Sequence, residues 1–373
     1  MGKMLRMLIL GSKEFPVGSS RGFDSLPSGG MERYTQDLAG ALAEEGLEPV
    51  IVTRKFPGQA SSEKKNGILV RRVGWVKGFL FRNPSFNAMS FIEGMKLDFD
   101  VVLANGAIST SIALMLRFFK RKPVISRPAG IAWVQPQYNF LVKKILKILE
   151  SFAYSHADAV VFLSRQETES FRQKMGFLPE NYRVIPTGVD LARFKAKKKK
   201  GTGRKTVLFL GRLLEVKGAK FLVDAAPGIG ARVLIAGDGP EKESLQKTVE
   251  EKKIGNVVFA GQVGDVPKLL SQADVFVLPS LSEGLPIAML EAMAAGVPCV
   301  VTDIGLPVEK GKTALVVPPC DFKSLASATN RLLRDEKLAK TLSQNALKKI
   351  RAEFSWKQAC KGYIGLFKAL SRQ

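Results

Sequence analysis

The sequence predicts an α/β protein of two doubly wound, Rossmann-like domains, and three observations carry that reading. At 373 residues the chain is long enough for two domains with separate cores. Short buried-strand patterns alternate with helical patterns along most of its length, the signature of parallel sheets covered on both faces. The alternation also stops and restarts: KAKKKKGTGRK, residues 195 to 205, is a charge run that can bury nothing, and a new apolar run, TVLFLG, follows it. The expected division is residues 1–190, residues 191–352 and a C-terminal helix over 353–373.

Composition narrows the function classes. Apolar content of 46% is ordinary for a globular protein. Cys299, Cys320 and Cys360 lack metal-ligand spacing and fit a reducing compartment better than a disulfide framework. The opening MGKMLRMLILG has a basic start, but its apolar run is too short for a signal peptide and reads as the first buried strand. Arg6 stands where myristoylation needs Ser or Thr. No apolar stretch approaches the roughly 20 residues that span a bilayer, so a soluble or surface-bound protein is expected. The net charge of +23 asks for an anionic partner: a nucleotide, lipid phosphate, a membrane surface or nucleic acid.

In the first half, Gly29 and Gly30 follow a loop rich in Gly, Pro and Ser and open an amphipathic helix with Leu38 and Leu42 on one face. A Gly pair at a helix N-terminus lets backbone approach a phosphate. Strand patterns recur at Val50 to Thr53, Ile68 to Val73, Val101 to Ala104, Val124 to Ile125 and Ala159 to Leu163. No G-x-G-x-x-G follows the first strand, which argues against a dinucleotide dehydrogenase. Asp98-Phe99-Asp100 spells a D-x-D, but Asp100 leads straight into a buried strand, so it is not read as a metal site. From Val101 to Leu149 there is no Asp or Glu, while Arg117, Lys120, Arg121, Lys122, Arg127, Lys143, Lys144 and Lys147 are interleaved with apolar and aromatic residues. Such segments read either as surfaces for anionic lipid or as ordinary amphipathic helices with solvated lysines. The single histidine, His156, precedes a buried strand and reads as structural.

In the second half, the strand in TVLFLGRLLEVKG delivers Arg212 just past its C-terminal end, with Lys217 five residues later at the mouth of a helix. Ligands of parallel sheets bind at that edge, and two cations there suit a diphosphate. The alternation continues through Arg232 to Ile235 and Val257 to Phe259 and culminates in LPSLSEGLPIAMLEAMAAGVPCVVTD, Leu278 to Asp303. Here a strand over Ala273 to Leu278 ends at Pro279, Pro286 is placed in the first turn of a helix, Gly296 and Pro298 stop it, and a strand follows over Val297 to Val301. Glu283 lies in the loop beside free helix N–H groups. Glu291 shares a helix face with Ala288 and Ala295, whose methyl groups let another body approach closely.

The wording S-x-x-E-G-x-P-x-x-x-x-E-A-M-A-x-G-x-P-x-V resembles the E-x7-E segment of glycosyltransferase family four, retaining enzymes that use nucleotide sugars and have the GT-B fold. The resemblance covers nearly the whole chain: the Gly-Gly-x-Glu opening at Gly29, VIPTGVDLARF over Val184 to Phe194, G-R-L-x-x-x-K-G from Gly211, and FSW at Phe354. It implies two Rossmann-like domains facing across a cleft, with the C-terminal helix crossing back to the N-terminal domain. It also implies site roles. Glu283 would contact the donor sugar near its anomeric centre, with Gly284 and Leu285 beside it, and Glu291 would hold the ribose hydroxyls. Arg212, Lys217 and the backbone of Gly29 and Gly30 would serve the diphosphate, and Val263 would end the segment that packs the base. A carboxylate suits a vicinal diol and an oxocarbenium-like charge alike. No cofactor beyond the nucleotide-diphosphate sugar, and no metal in the transfer step, is implied. The chain departs from the family twice. SRPAG, Ser126 to Gly130, stands where members often carry His-Gly, so Ala129 replaces that His or Arg127 takes its role. Ile304 to Glu309 stands for G-G-x-P-E, which leaves the role of Glu309 open.

The expected function is therefore a retaining glycosyltransferase of hexosyltransferase type, with a sugar or lipid-linked acceptor. An anionic membrane surface is the candidate further partner, no specific nucleic acid is expected, and the expected place is the cytoplasm or the cytoplasmic face of a membrane. Reaction on one face of the sugar requires no protein nucleophile and leaves the departing phosphate as a candidate base. Three alternatives stay open: a GT-B-fold sugar-nucleotide epimerase, a starch- or sucrose-synthesising member of the family, and a non-enzymatic binder of anionic polymers.

Overall fold

The computed structural model describes residues 4–16, 30–78, 81–131, 133, 139–194 and 203–371. It divides into two units, Met1–Gly188 with Trp356–Gln373, and Val189–Ser355. In the first unit, chain order runs β1 (Arg6–Leu10), α1 (Gly30–Glu44), β2 (Glu48–Arg54), β3 (Ser62–Lys65), β4 (Ile68–Val73), α2 (Arg82–Lys96), β5 (Val101–Asn105) and α3 (Ala107–Lys120). It continues with β6 (Val124–Arg127), α4 (Phe140–His156), β7 (Ala159–Phe162), α5 (Arg165–Met175) and β8 (Tyr182–Val184). The second unit holds β9 (Thr206–Leu210), α6 (Ala219–Ala225), β10 (Arg232–Ala236), α7 (Lys242–Glu251), β11 (Val257–Gly261), α8 (Val266–Leu270), β12 (Val275–Leu278) and α9 (Ile287–Ala294). After them come β13 (Cys299–Thr302), β14 (Leu315–Val317), α10 (Phe322–Arg334) and α11 (Glu336–Glu353), and α12 (Trp356–Leu370) belongs to the first unit.

The first sheet has the order β3-β4-β2-β1-β5-β6-β7-β8 and is parallel except for the β3–β4 pair. From β1 the chain builds outward on one side and returns to β5 on the other. Such a reversal opens a crevice at the strand C-termini. Gly11 follows β1 there at φ +93°, and a side chain on it would run into the Asn105 carbonyl at the end of β5. The helices are set by side-chain caps as well as by apolar stripes: Asn139 accepts from Val142 N, and Ser164 accepts from Glu167 N.

The second sheet, β11-β10-β9-β12-β13-β14, is parallel throughout and reverses between β9 and β12. Its inner strands, β9, β10, β12 and β13, are buried on both faces, while the edge strands β11 and β14 are partly exposed. Leu208, Leu234, Phe276 and Val301 pack on one side with α9 and α11, while Val207, Phe209, Val233 and Ile235 pack on the other with α6 and α10. This period of two is why every strand of the sheet core reads as an unbroken apolar run.

Helix α12 packs in the first unit. Gly188 leaves no room for a Cβ, because one would meet the Trp356 backbone at 2.4 Å. The Tyr363 hydroxyl lies 2.6 Å from the Tyr34 hydroxyl of α1, and both rings are buried. Tyr363→Phe would strand the Tyr34 hydroxyl in the core and should destabilise the protein by about 1–3 kcal/mol. A lower urea midpoint in Tyr363→Phe than in wild type checks this, and equal midpoints would show that the pair carries no weight.

Candidate active site

The reversal between β9 and β12 places two loops side by side in the second unit. The β9 loop runs through Arg212 to a single 3-10 turn, Glu215–Lys217, and the β12 loop runs from Pro279 to Pro286. Gly218 sits at φ +65° against the Pro279 carbonyl, where any side chain would collide with backbone. Leu281 N–H donates to the Val216 carbonyl at 2.8 Å and ties the loops together.

That contact brings Lys217 to Glu283, 66 positions apart in sequence, with Nζ 2.7 and 2.8 Å from the two carboxylate oxygens. The Glu283 side chain is only 6% exposed and Lys217 is 27% exposed, so the pair sits at the edge of the protein interior. Ser280 Oγ donates to Glu283 Oε1 at 2.8 Å, and Thr302 Oγ1 on β13 donates to the Ser280 carbonyl at 2.5 Å. Ser280 and Thr302 are buried supports that the sequence reading did not single out. The signal for Ser280 was present in its position three residues before Glu283, since a short hydroxyl side chain reaches that far in a turn.

The other predicted residues of this unit lie along the same edge of the sheet or near it. Arg212 is exposed just past β9. Gly284 and Leu285 are half-buried between Glu283 and α9, and Leu285 packs against the core. Helix α9 buries Met289, Leu290, Ala292 and Met293 and leaves Ala288, Glu291 and Ala295 as a half-buried face. Pro286 caps α9 rather than lying in its first turn, because its own backbone is still extended at ψ 100° and the helix begins at Ile287. Val263 follows β11 and packs against the core from its half-buried position. Glu309 is drawn to Lys312 at 2.7 Å and Lys349 at 3.7 Å, and the Lys312 hydrogen bond holds its carboxyl below the usual range.

In the first unit, Gly30 is the exposed first residue of α1, and Gly29 lies outside the described residues. Ala129 is exposed, whereas Arg127 at the end of β6 is buried, with its guanidinium 4.4 Å from the Tyr34 ring centroid and Nη1 3.1 Å from Met31 Sδ. A cation over an aromatic face keeps part of the stabilisation that water would have supplied. Glu167 turns its carboxyl inward to accept from Leu163 N–H at 2.5 Å. Burial pushes this carboxyl up, while Arg127 and the Leu163 N–H pull it partway back. His156 bonds the Phe152 carbonyl through Nδ1 at 2.9 Å and stacks on its ring, with no part in either loop cluster.

Two outcomes follow. Lys217→Met should leave a nearly buried carboxylate without its cation and destabilise the second unit by about 1–3 kcal/mol after allowance for the exposure of Lys217. Differential scanning calorimetry of the variant measures it, and an unchanged transition would show the pair to be neutral. Glu167 gives a pH dependence. Above the ordinary carboxyl value of 4.5, the folded state holds a proton that the unfolded chain has lost, so stability falls as pH rises through that window. Glu167→Gln should flatten this slope and gain stability near neutral pH but not below the ordinary value. Urea midpoints of both proteins across the window check the sign.

Comparison with known proteins agrees with this architecture. The family model for glycosyltransferase family 4 matches residues 28–193, and that for glycosyl transferases group 1 matches residues 191–349. An uncharacterized glycosyltransferase of Methanocaldococcus jannaschii is 36% identical over 374 residues, covering 91% of this chain and 94% of that protein. The UDP-Gal:alpha-D-GlcNAc-diphosphoundecaprenol alpha-1,3-galactosyltransferase of Escherichia coli is 32% identical over 237 residues, which span 56% of this chain and only 59% of that enzyme. Among solved structures, a sucrose-phosphate synthase from Thermosynechococcus elongatus superposes with a TM-score of 0.82 at 25% identity, covering 99% of each chain. Two parallel α/β units, each with its strand order reversing beside the first strand, together with these matches, make this chain a member of glycosyltransferase family 4 with the GT-B fold.

Proposed function

We propose that this protein transfers a sugar from a UDP-sugar to an acceptor with retention of configuration, and that the donor occupies the β9–β12 edge of the second unit. The observation that carries the reading is the Lys217–Glu283 pair, held by Ser280 at the point where the strand order reverses. Lys217 spends two contacts on Glu283, and its ammonium has three donors, which leaves one for a diphosphate oxygen. Arg212 adds a second cation to gather charge as the diphosphate departs. Glu283, oriented by Ser280, faces the sugar, and Glu291 on the alanine-lined face of α9 takes the ribose diol. Gly284, Leu285 and Val263 line the nucleotide.

In the transfer step the bond from the anomeric carbon to the phosphate oxygen breaks and the bond to the acceptor oxygen forms on the same face. The acceptor's proton passes to the departing phosphate. Carboxylate Glu283 stabilises the positive charge that develops at the anomeric centre between these events. The uridine assignment follows the Escherichia coli relative, whose name gives a UDP-sugar donor and a lipid diphosphate acceptor. We extend the second part as well: the acceptor is a lipid-linked saccharide, and the enzyme works at the cytoplasmic face of a membrane.

Thermal stabilisation by UDP, GDP, ADP and their sugars tests the donor assignment on wild type, Glu283→Gln and Glu291→Ala. A ligand at about 100 times its dissociation constant adds about 2.7 kcal/mol of stability. Uridine nucleotides should raise the melting point of wild type and fail on Glu291→Ala. Glu283→Gln should keep UDP binding and lose transfer by about two orders of magnitude or more. No response to any nucleotide in wild type would overturn the proposal.

A further inference from the structure

Helices α3 and α4 of the first unit expose apolar stripes on their outward faces. In α4 the buried residues are Glu150, Ala153 and Tyr154. At 100° per residue the opposite face carries Leu141, Ile145, Ile148 and Phe152, which are 65%, 57%, 63% and 51% exposed. In α3, Ala113 and Leu116 are buried, whereas Ile108, Met115 and Phe119 recur at the same seven- and eleven-residue spacing on the exposed side, with Phe118 80% exposed beside them. Phe140 opens α4 at 82% exposure. The two helices pack against each other, and α2 lies on the far side of α3 with Met89 and Ile92 also exposed. These stripes therefore form a patch rather than isolated side chains, and an apolar patch of this kind on a folded domain marks an interaction surface.

The charges around it choose the partner. Arg121, Lys122 and Lys144 stand beside the stripes, whereas Lys143 lies on the side of α4 that carries its buried residues and Lys147 is held over the Trp133 ring. The one carboxylate in α3 and α4 is Glu150, and it is buried. A second copy of the chain would bring these cations face to face. A surface with phosphate outside and hydrocarbon beneath satisfies both parts of the patch, because lysine ammoniums reach headgroups while the stripe between them enters the acyl boundary.

We propose that the outer face of α3 and α4 is a docking surface for an anionic lipid bilayer, with Phe118, Phe140, Leu141, Ile145 and Ile148 inserted at the interface. The proposal deepens the lipid-linked acceptor reading but rests on its own residues, all of them outside the donor-side machinery.

Cosedimentation of the full chain with vesicles tests it, using phosphatidylcholine alone and phosphatidylcholine mixed with phosphatidylglycerol. Wild type should partition onto the mixed vesicles, much less onto the neutral ones, and come off as salt rises. Phe118→Ser combined with Phe140→Ser and Ile148→Ser should weaken that binding at least tenfold, as should Arg121→Gln with Lys122→Gln and Lys144→Gln. Melting points and nucleotide stabilisation should not change in either variant, since the altered side chains project from the surface. Phe118→Trp should be quenched by lipids brominated on their acyl chains. Undiminished binding by the serine variant would overturn the proposal, as would equal binding to both vesicle types. A concentration-dependent dimer that the serine variant abolishes, without vesicle binding, would assign the face to a second copy instead. Nucleotide response without vesicle binding would remove this inference alone, and vesicle binding without nucleotide response would remove the donor reading alone.

Discussion

The close backbone approach of Gly218 to Pro279 is the constraint on which the second unit's chemistry depends. A parallel sheet whose strand order reverses must leave two loops adjacent at the strand C-termini. How near those loops come is then decided by the residues that have no side chain. With Gly218 in place, Val216 and Leu281 join by a backbone hydrogen bond, and the side chains on either side of them, Lys217 and Glu283, meet. Ser280 and Thr302 then fix the carboxylate from beneath, so that its orientation follows from β12 and β13 rather than from the loop itself. Positioning groups on rigid strands is how a site keeps its geometry through a reaction cycle.

The first unit repeats the topology with different chemistry. Its own reversal, between β1 and β5, is again tight at a glycine, Gly11. At the neighbouring strand end the cation is interior: Arg127 lies over Tyr34, Tyr34 bonds Tyr363 of the returning helix, and the Glu167 carboxyl, pushed up by burial, accepts from the Leu163 N–H. A buried cation stacked on a ring is well placed to hold a helix and a strand together. The C-terminal helix is thus fixed to the unit from which it is most distant in sequence.

The high positive charge of the chain has a local meaning as well as a global one. Ion pairs absorb part of it, as at Arg117 with Asp158, Arg71 with Glu93 and Lys349 with Glu353. Glu309 shows the same tendency, with its carboxylate turned to Lys312 and Lys349. Arg117 of α3 belongs to one of these pairs, but apart from the buried Glu150 neither α3 nor α4 carries a carboxylate of its own, so the remaining cations there meet less compensation.

The sequence by itself determined most of the elements: apolar runs named the inner strands but not the edge strands β3, β8 and β14, and the helix stops and glycines named many of the boundaries, because these signals are local and periodic. It also made Glu283, Glu291, Arg212 and Lys217 candidates, because each stands next to the end of a predicted strand or in the helix that follows. It placed Pro286 one position too deep in α9, a boundary error that local patterns allow. Only the tertiary structure decided that Lys217 and Glu283 touch, that Ser280 and Thr302 support them, and that Arg127 is interior while the stripes of α3 and α4 face outward. The physical reason is the same in each case. Helical periodicity defines a face but not which face meets the sheet, and contacts between distant positions depend on strand order, which no local propensity encodes.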